Sequence, residues 1–251
     1  MLSQQDYKDY CSRIRSVESY LRRHSAPLDV VAYNICKLRG YYTERMSDML
    51  QRAGFMFIED NSVYASLANA GDDIGLFKNG EFLLQNRFIF PVRDMLGNTI
   101  AFIGWFPDEK KYITTPSKFF SKSCLFYGME RLLDTGLGGK YFICEGIFDT
   151  LSLRSIGINA LGQMGISSGR VKESLYCLMS NIVASPDNDA QGRDVIENDK
   201  WHLPTYGRYL KWVGDDSKDI DDLVNSYEAT DIKEFLLQAF NSKERVVKQR
   251  V

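Results

Sequence analysis

The sequence predicts an α/β protein in which a central, mainly parallel sheet fills the second half of the chain and a mixed α+β, basic region precedes it. Three observations carry this. After about Lys140, apolar runs (YFICEG, INALGQ, NIVASPD, GRYLKWV) alternate with helical stretches (FDTLSLRSIG, SSGRVKESLYCLM, AQGRDVIENDKW), and strands joined through helices pair in parallel by right-handed crossovers. Before Lys140 the pattern is helical and then hairpin-like. Acidic residues gather behind the predicted strands, and basic ones near the start.

Residues 4 to 24 read as an amphipathic helix, because Tyr7, Cys11, Ile14, Val17 and Leu21 recur at spacings of three or four with basic residues between them. Ser25 to Pro27 ends it. A second helix covers Leu28 to Leu38 and stops at Gly40; a third starts behind Thr43, an N-cap residue, and runs to about Arg52. From Phe82 to Trp105 the chain reads FLLQNRFIFPVRD, a turn at Met95-Leu96-Gly97-Asn98, then TIAFIGW, which predicts paired strands around a hairpin. The βα punctuation follows, with closing helices at Asp219 to Tyr227 and Ala229 to Phe240 and a basic tail, SKERVVKQRV, expected to be frayed. The expected domains are 1–136, 137–228 and 229–251.

With 44% hydrophobic and 25% charged residues among 251, the chain can bury a substantial core and is not a disordered polymer. No run approaches the ~18 apolar residues of a membrane span, and MLSQQDYKDYCSRIR is too polar for a secretory signal. A cytoplasmic protein without a membrane partner is expected. Five scattered cysteines without a CxxC pair, and only His24 and His202 beside them, predict no zinc site. The net charge of −2 conceals an asymmetry: Lys8, Arg13, Arg15, Arg22, Arg23, Lys37, Arg39 and Arg45 near the start, aspartates crowded between 185 and 222. Phosphate attraction and metal binding are thereby separated along the chain.

Glu145 leaves an apolar run and precedes Gly146, with Asp149 four residues on. Asp187 and Asp189 follow the run ending at Ser185, and Asp219 and Asp221 sit at another strand-to-helix transition. Parallel sheets gather functional groups at the carboxyl ends of their strands. Converging carboxylates repel one another unless a hard cation neutralises them, which points to Mg²⁺ or Mn²⁺. Taken singly, Asp189 and Asp219 read as helix N-caps and the others as solvated charges; the repetition at three strand ends favours a metal site.

These residues resemble known motifs. EGIFD (Glu145 to Asp149) and PDNDAQGRD (Pro186 to Asp194) are similar to the EGxxD and DxDxxG motifs of Toprim domains, which occur in primases, type IA and type II topoisomerases, recombination mediators and nucleases. Upstream, RFIFPVRDMLGNTIAFIGW resembles RxxFPIRDxxGxxIGFGGR of bacterial-type, DnaG-like primases. KYITTPSKFFSKSCLFYG, Arg39-Gly40 and DIDDLV also match segments of that family, so the likeness runs from about 28 to 226. The resemblance implies a DNA-dependent RNA primase acting on single-stranded DNA with nucleoside triphosphates, a nascent RNA primer and a replicative helicase as partners. It implies Glu145 as catalytic carboxylate, with Asp149, Asp187, Asp189, Asp219 and Asp221 joining it around two or more Mg²⁺ or Mn²⁺ ions. Arg39, Lys111 and Lys122 become basic contacts. Arg87 and Arg93, by their place flanking a strand and not by the resemblance, read equally as phosphate contacts or as exposed sheet charges.

Two departures stand out. Trp105 replaces the arginine closing the family's FGGR stretch, and Asn188 replaces the glycine of DGD. The family's zinc-binding and long helicase-binding domains are not matched within these residues, so the expected layout is a compact one that resembles bacteriophage primases. A Toprim nuclease would use the same carboxylates with water as nucleophile, but the primase-like residues 87 to 128 disfavour it. A topoisomerase needs a larger gated architecture, and a DNA-binding scaffold would not need intact carboxylates. Tyr7, Tyr10, Tyr20, Tyr33, Tyr41 and Tyr42 read as helix packing ahead of base stacking, and the Gly165 to Gly169 turn is a weak anion-loop signal.

Overall fold

The computed structural model describes residues 3–41, 43–67, 74–107, 111–116, 119–136, 138–165, 168–211, 217–241 and 246–248. The chain divides into two compact units, 1–121 and 122–251.

In the first unit, α1 (Gln4–His24) starts at Ser3, whose hydroxyl accepts from the Asp6 amide at 3.1 Å. Its inward stripe is Tyr10, Cys11, Ile14, Val17 and Leu21. α2 (Leu28–Arg39) stops where Gly40 turns left-handed at φ 82°, a conformation open to a residue without Cβ. α3 (Glu44–Ala53) is capped by Thr43. A 3₁₀ segment (Asn61–Leu67) and a short hairpin of β1 (Phe77–Lys78) and β2 (Glu81–Phe82) lead to an antiparallel sheet of β3 (Phe88–Arg93), β4 (Thr99–Phe106) and β5 (Lys111–Thr114). The expected turn forms because the Asp94 carboxylate accepts from the amides of Leu96 and Asn98. α1 packs on this sheet, its Ile14, Val17 and Leu21 joining Leu84, Ile89 and Phe102 in one core. The Tyr10 hydroxyl donates to the Ile100 carbonyl at 2.8 Å.

Glu18 ties this unit together. Its carboxylate accepts from Arg22 at 2.5 Å, Arg93 at 3.2 Å and Thr99 at 2.5 Å. Burial opposes ionisation there, yet the hydrogen bonds from Thr99 and Arg22 and the charges of Arg22 and Arg93 hold the carboxyl below its ordinary range.

The second unit opens with α4 (Arg131–Asp134) and is built on β6 (Lys140–Cys144), β7 (Ala160–Gly162), β8 (Asn181–Ser185), β9 (Arg208–Lys211) and β10 (Val246–Lys248), all parallel in the order β10-β9-β8-β6-β7. The intervening helices are α5 (Ile147–Ser155), α6 (Arg170–Tyr176), α7 (Ala190–Glu197), α8 (Ile220–Ser226) and α9 (Ala229–Gln238). Because β7 lies on one side of β6 and β8 on the other, the strand order reverses there, opening a crevice at their carboxyl ends.

Three expectations differ from what is observed. The division falls at 121/122 and not at 136, because the segment after it is bonded into the second unit. Tyr127 exchanges backbone bonds with Gly162, and the Arg154 guanidinium donates to the Gly128 carbonyl at 2.7 Å. Nor do residues 229–251 stand apart: Ile232, Leu236 and Phe240 share a core with Phe142, Leu153 and Leu223. Val246–Lys248, expected to fray, pairs in parallel with β9, where the edge strand offers unpaired backbone groups. Among the described residues, no helix is long and apolar enough to cross a membrane.

Leu21 is fully buried on the α1 stripe. Leu21→Ala is expected to cost about 2–5 kcal/mol of stability, read as a lower urea midpoint with little change in slope.

Candidate active site

Glu145 and Asp187 leave neighbouring strands at the switch point. β6 and β8 run in register from Lys140 opposite Asn181 to Cys144 opposite Ser185, so the turns after them lie side by side. The Asp187 amide donates to the Glu145 carboxylate at 3.3 Å. Burial, with the negative charge of Asp189 and Asp219, raises the Glu145 carboxyl above its usual range. Asp187 is pushed from 3.8 up to about 7 by burial and by the charges of Glu145, Asp219 and Asp189, against a lowering influence from Lys218.

Asp149, in the first turn of α5, is 7% exposed. Its two carboxylate oxygens accept from the amides of Gly146 and Asp221, each at 3.0 Å. Burial, followed by the charges of Asp219, Asp187 and Asp221, raises it well above the ordinary aspartate value. Asp221 is 1% exposed and turned inward, accepting from the Ser152 hydroxyl and from Asn225 at 3.0 Å. These two carboxylates knit α5 to α8.

Asp189 and Asp219 are N-caps, as their positions allow: Asp189 accepts from the Gly192 amide at 2.7 Å and Asp219 from the Asp222 amide at 2.8 Å. Both still exert negative charge on Glu145 and Asp187. A Cβ on Gly192 would lie 1.8 Å from the Asp187 carbonyl oxygen, so only glycine lets α7 press against that turn.

Asn188, where the Toprim motif ordinarily has glycine, proves to be a clamp. Its amide donates to the Lys218 carbonyl at 2.7 Å and its side chain to the Ser217 carbonyl at 3.0 Å, drawing the Asp219 loop toward Asp187. The sequence marked this position as a departure without revealing the role.

The basic residues scatter. Arg93 bonds Glu18 and reaches the Ala53 carbonyl at 3.5 Å, so it serves the framework and not, as expected, a phosphate. Arg87 is half-buried, stacked 5.4 Å from the Phe106 ring. Arg39 is the half-buried last residue of α2, and Lys122 is exposed at the start of the second unit. The Lys111 backbone pairs with Phe106, but its side chain lies outside the described residues, as do Tyr42, Ile166 and Ser167. Trp105 is buried against Phe88, so this position serves the core. Tyr7 and Tyr20 donate to Asp94 and to the Val63 carbonyl, packing roles as expected. The Gly169 amide, suggested for an anion, donates instead to Ser123.

Every donor gathered at the switch point is an oxygen, suited to a hard divalent cation, and the raised pKa values mark a charge excess that such a cation would relieve. Among the described residues, no three His, Cys, Asp or Glu side chains converge closely enough to hold an ion without adjustment.

A carboxyl with a raised folded-state pKa binds more protons folded than unfolded, so its contribution to stability falls as pH rises from its ordinary value toward the raised one. For Asp187 that window runs from about 4 to about 7. Asp187→Asn should therefore raise the unfolding temperature of metal-free protein at pH 8 and change it little at pH 4, in parallel calorimetric scans.

The "DNA primase catalytic core, N-terminal domain" family matches residues 17–133, and the "Toprim-like" family matches residues 142–224. The chain is 30% identical over 168 residues to the DNA primase of Haemophilus influenzae, covering 62% of this chain and 28% of that protein. It is 24% identical over 257 residues to the Pasteurella multocida DNA primase, covering 96% and 42%. It thus spans under half the length of these relatives. Among solved structures, the DnaG primase catalytic domain bound to ssDNA superposes with a TM-score of 0.71 at 20% identity, over 94% of this chain and 80% of that one. The RNA polymerase domain of Mycobacterium tuberculosis primase DnaG gives 0.73 at 17%, over 95% and 84%.

Proposed function

From a chain that carries the N-terminal domain of a DnaG-type primase catalytic core followed by a Toprim domain, we propose a DNA-dependent RNA primase that makes short primers on single-stranded DNA during replication by metal-dependent nucleotidyl transfer. The observation that carries it is the union of two features: carboxylates gathered at the switch point of the parallel sheet, and a preceding domain of the primase type rather than of a nuclease or topoisomerase.

The reaction joins a primer 3′-hydroxyl to the α-phosphate of an incoming nucleoside triphosphate and releases pyrophosphate. Divalent cations, Mg²⁺ or Mn²⁺ and two or more of them, would neutralise the charge that accumulates at the phosphates. Glu145, Asp187, Asp189 and Asp219 are the residues we assign to hold them. Asp149 and Asp221, engaged by backbone amides, Ser152 and Asn225, anchor the turns that present these ligands. Glu145 is the carboxylate we assign to the hydroxyl proton. Its raised pKa and its bond from the Asp187 amide support that task. Arg39, Arg87, Lys111 and Lys122 are the assigned contacts to template and triphosphate, with Arg93 withdrawn from that set. A replicative helicase and a cytoplasmic setting complete the reading.

Incubation with single-stranded DNA, labelled ribonucleotides and Mg²⁺ or Mn²⁺ should yield short RNA. Glu145→Gln and Asp187→Asn should each reduce it about 100-fold or more without loss of DNA binding. Metal-dependent cleavage of DNA without RNA products would instead assign the site to a nuclease. Lys122→Ala should weaken single-stranded DNA binding across sequences and flatten the salt dependence of log K by roughly 0.7, measured by fluorescence anisotropy.

A further inference from the structure

Lys172, in the first turn of α6, is completely buried, at 0% exposure. It and Tyr176 form the buried face of that helix, four residues apart, where an aliphatic side chain would pack at lower cost than an ammonium. Burial pushes its pKa down to about 7, which shows how unfavourable the place is for charge. The ammonium donates to the Gln163 carbonyl and lies 5.1 Å from the centre of the Phe126 ring.

What Gln163 holds gives the placement its meaning. Its amide donates to the Cys144 carbonyl at 2.7 Å, and the next amide, of Met164, donates to the Glu145 carbonyl at 2.9 Å. The turn leaving β7 is thus laced to the main chain of Glu145. At the same end of α6, the amide of its N-cap Gly169 donates to the Ser123 carbonyl at 2.9 Å, beside Lys122, and a Cβ on Gly169 would lie 2.6 Å from that oxygen. The first turn of one short helix thus grips both the turn bonded to the Glu145 main chain and the segment that carries Lys122.

We propose that Lys172 is a positioning residue for primer synthesis: its buried ammonium fixes the turn after β7, and through it the main chain of Glu145, relative to the Lys122 segment. Full burial keeps it from touching template or nucleotide, so it acts only through these bonds. The proposal rests on the primase reading for its catalytic consequence and on the structure alone for its mechanical one.

The test compares wild type with Lys172→Met, which keeps volume but no donor, well below both unfolding temperatures. Hydrogen exchange should quicken about tenfold in peptides covering 143–146 and 161–165 and stay unchanged in 181–185. In primer synthesis kcat should fall about tenfold with the nucleotide KM within about twofold. If Lys172→Met does not fold, Lys172→Leu, which likewise removes the donor, carries the same comparison. Unchanged exchange at 161–165, acceleration spread equally into 181–185, or an unaltered kcat would overturn the proposal. A wild type that makes no primers would sink the primase reading, while the exchange data would still decide the role of Lys172.

Discussion

Glu145, Asp187 and Asp149 sit where like charges and partial burial make ionisation costly, and the second unit is organised around keeping them there. Mutual repulsion would drive the three acidic loops apart. They are held instead by bonds in which a main-chain or amide donor of one loop meets an acceptor of another: Asp187 to Glu145, Asp221 to Asp149, Asn188 to residues 217 and 218. The two that end on a carboxylate are charge-assisted when it ionises and all are directional, so geometry is preserved while the electrostatic strain is left for a cation to discharge. Pre-organisation of this type is how an active site stores part of its binding energy in its fold.

The first unit handles a buried carboxylate in the opposite way. Glu18 is surrounded by Arg22, Arg93 and Thr99, and its pKa falls where those of Glu145 and Asp187 rise. The contrast separates framework from chemistry: a neutralised acid joins α1 to β3 and β4, whereas the acids at the strand ends repel one another more than Lys218 relieves them. The arrangement also engages the partly buried Arg93, although its place at a strand end suggested a phosphate contact.

Much of this was readable from the residues. The spacing of Tyr7, Cys11, Ile14, Val17 and Leu21 marks α1, Gly40 and Thr43 punctuate α2 and α3, and the apolar runs after Lys140 become the parallel strands, because each signal is local. Glu145 and Asp187 were legible for the same reason, each standing directly after a strand. What escaped depends on partners distant in the chain. The inward turn of Asp221 is decided by Ser152, the clamp at Asn188 by residues about thirty positions on, and the pairing of 246–248 by an open edge on β9. Lys172 left one trace, a lysine spaced four residues before Tyr176 on a buried helix face, but its partner at Gln163 belongs to another turn.

The DxDxxG pattern mixes two separate occupations. Asp189 and Gly192 are a helix cap and the residue whose amide it receives, and Gly192 has no side chain because the Asp187 carbonyl fills that space. Their spacing is therefore a folding requirement of the turn, which a descendant stripped of catalysis would still have to satisfy. Asp189 and Gly192 therefore report first on how the turn folds, whereas Glu145, whose raised pKa burdens the fold, is the better mark of chemistry.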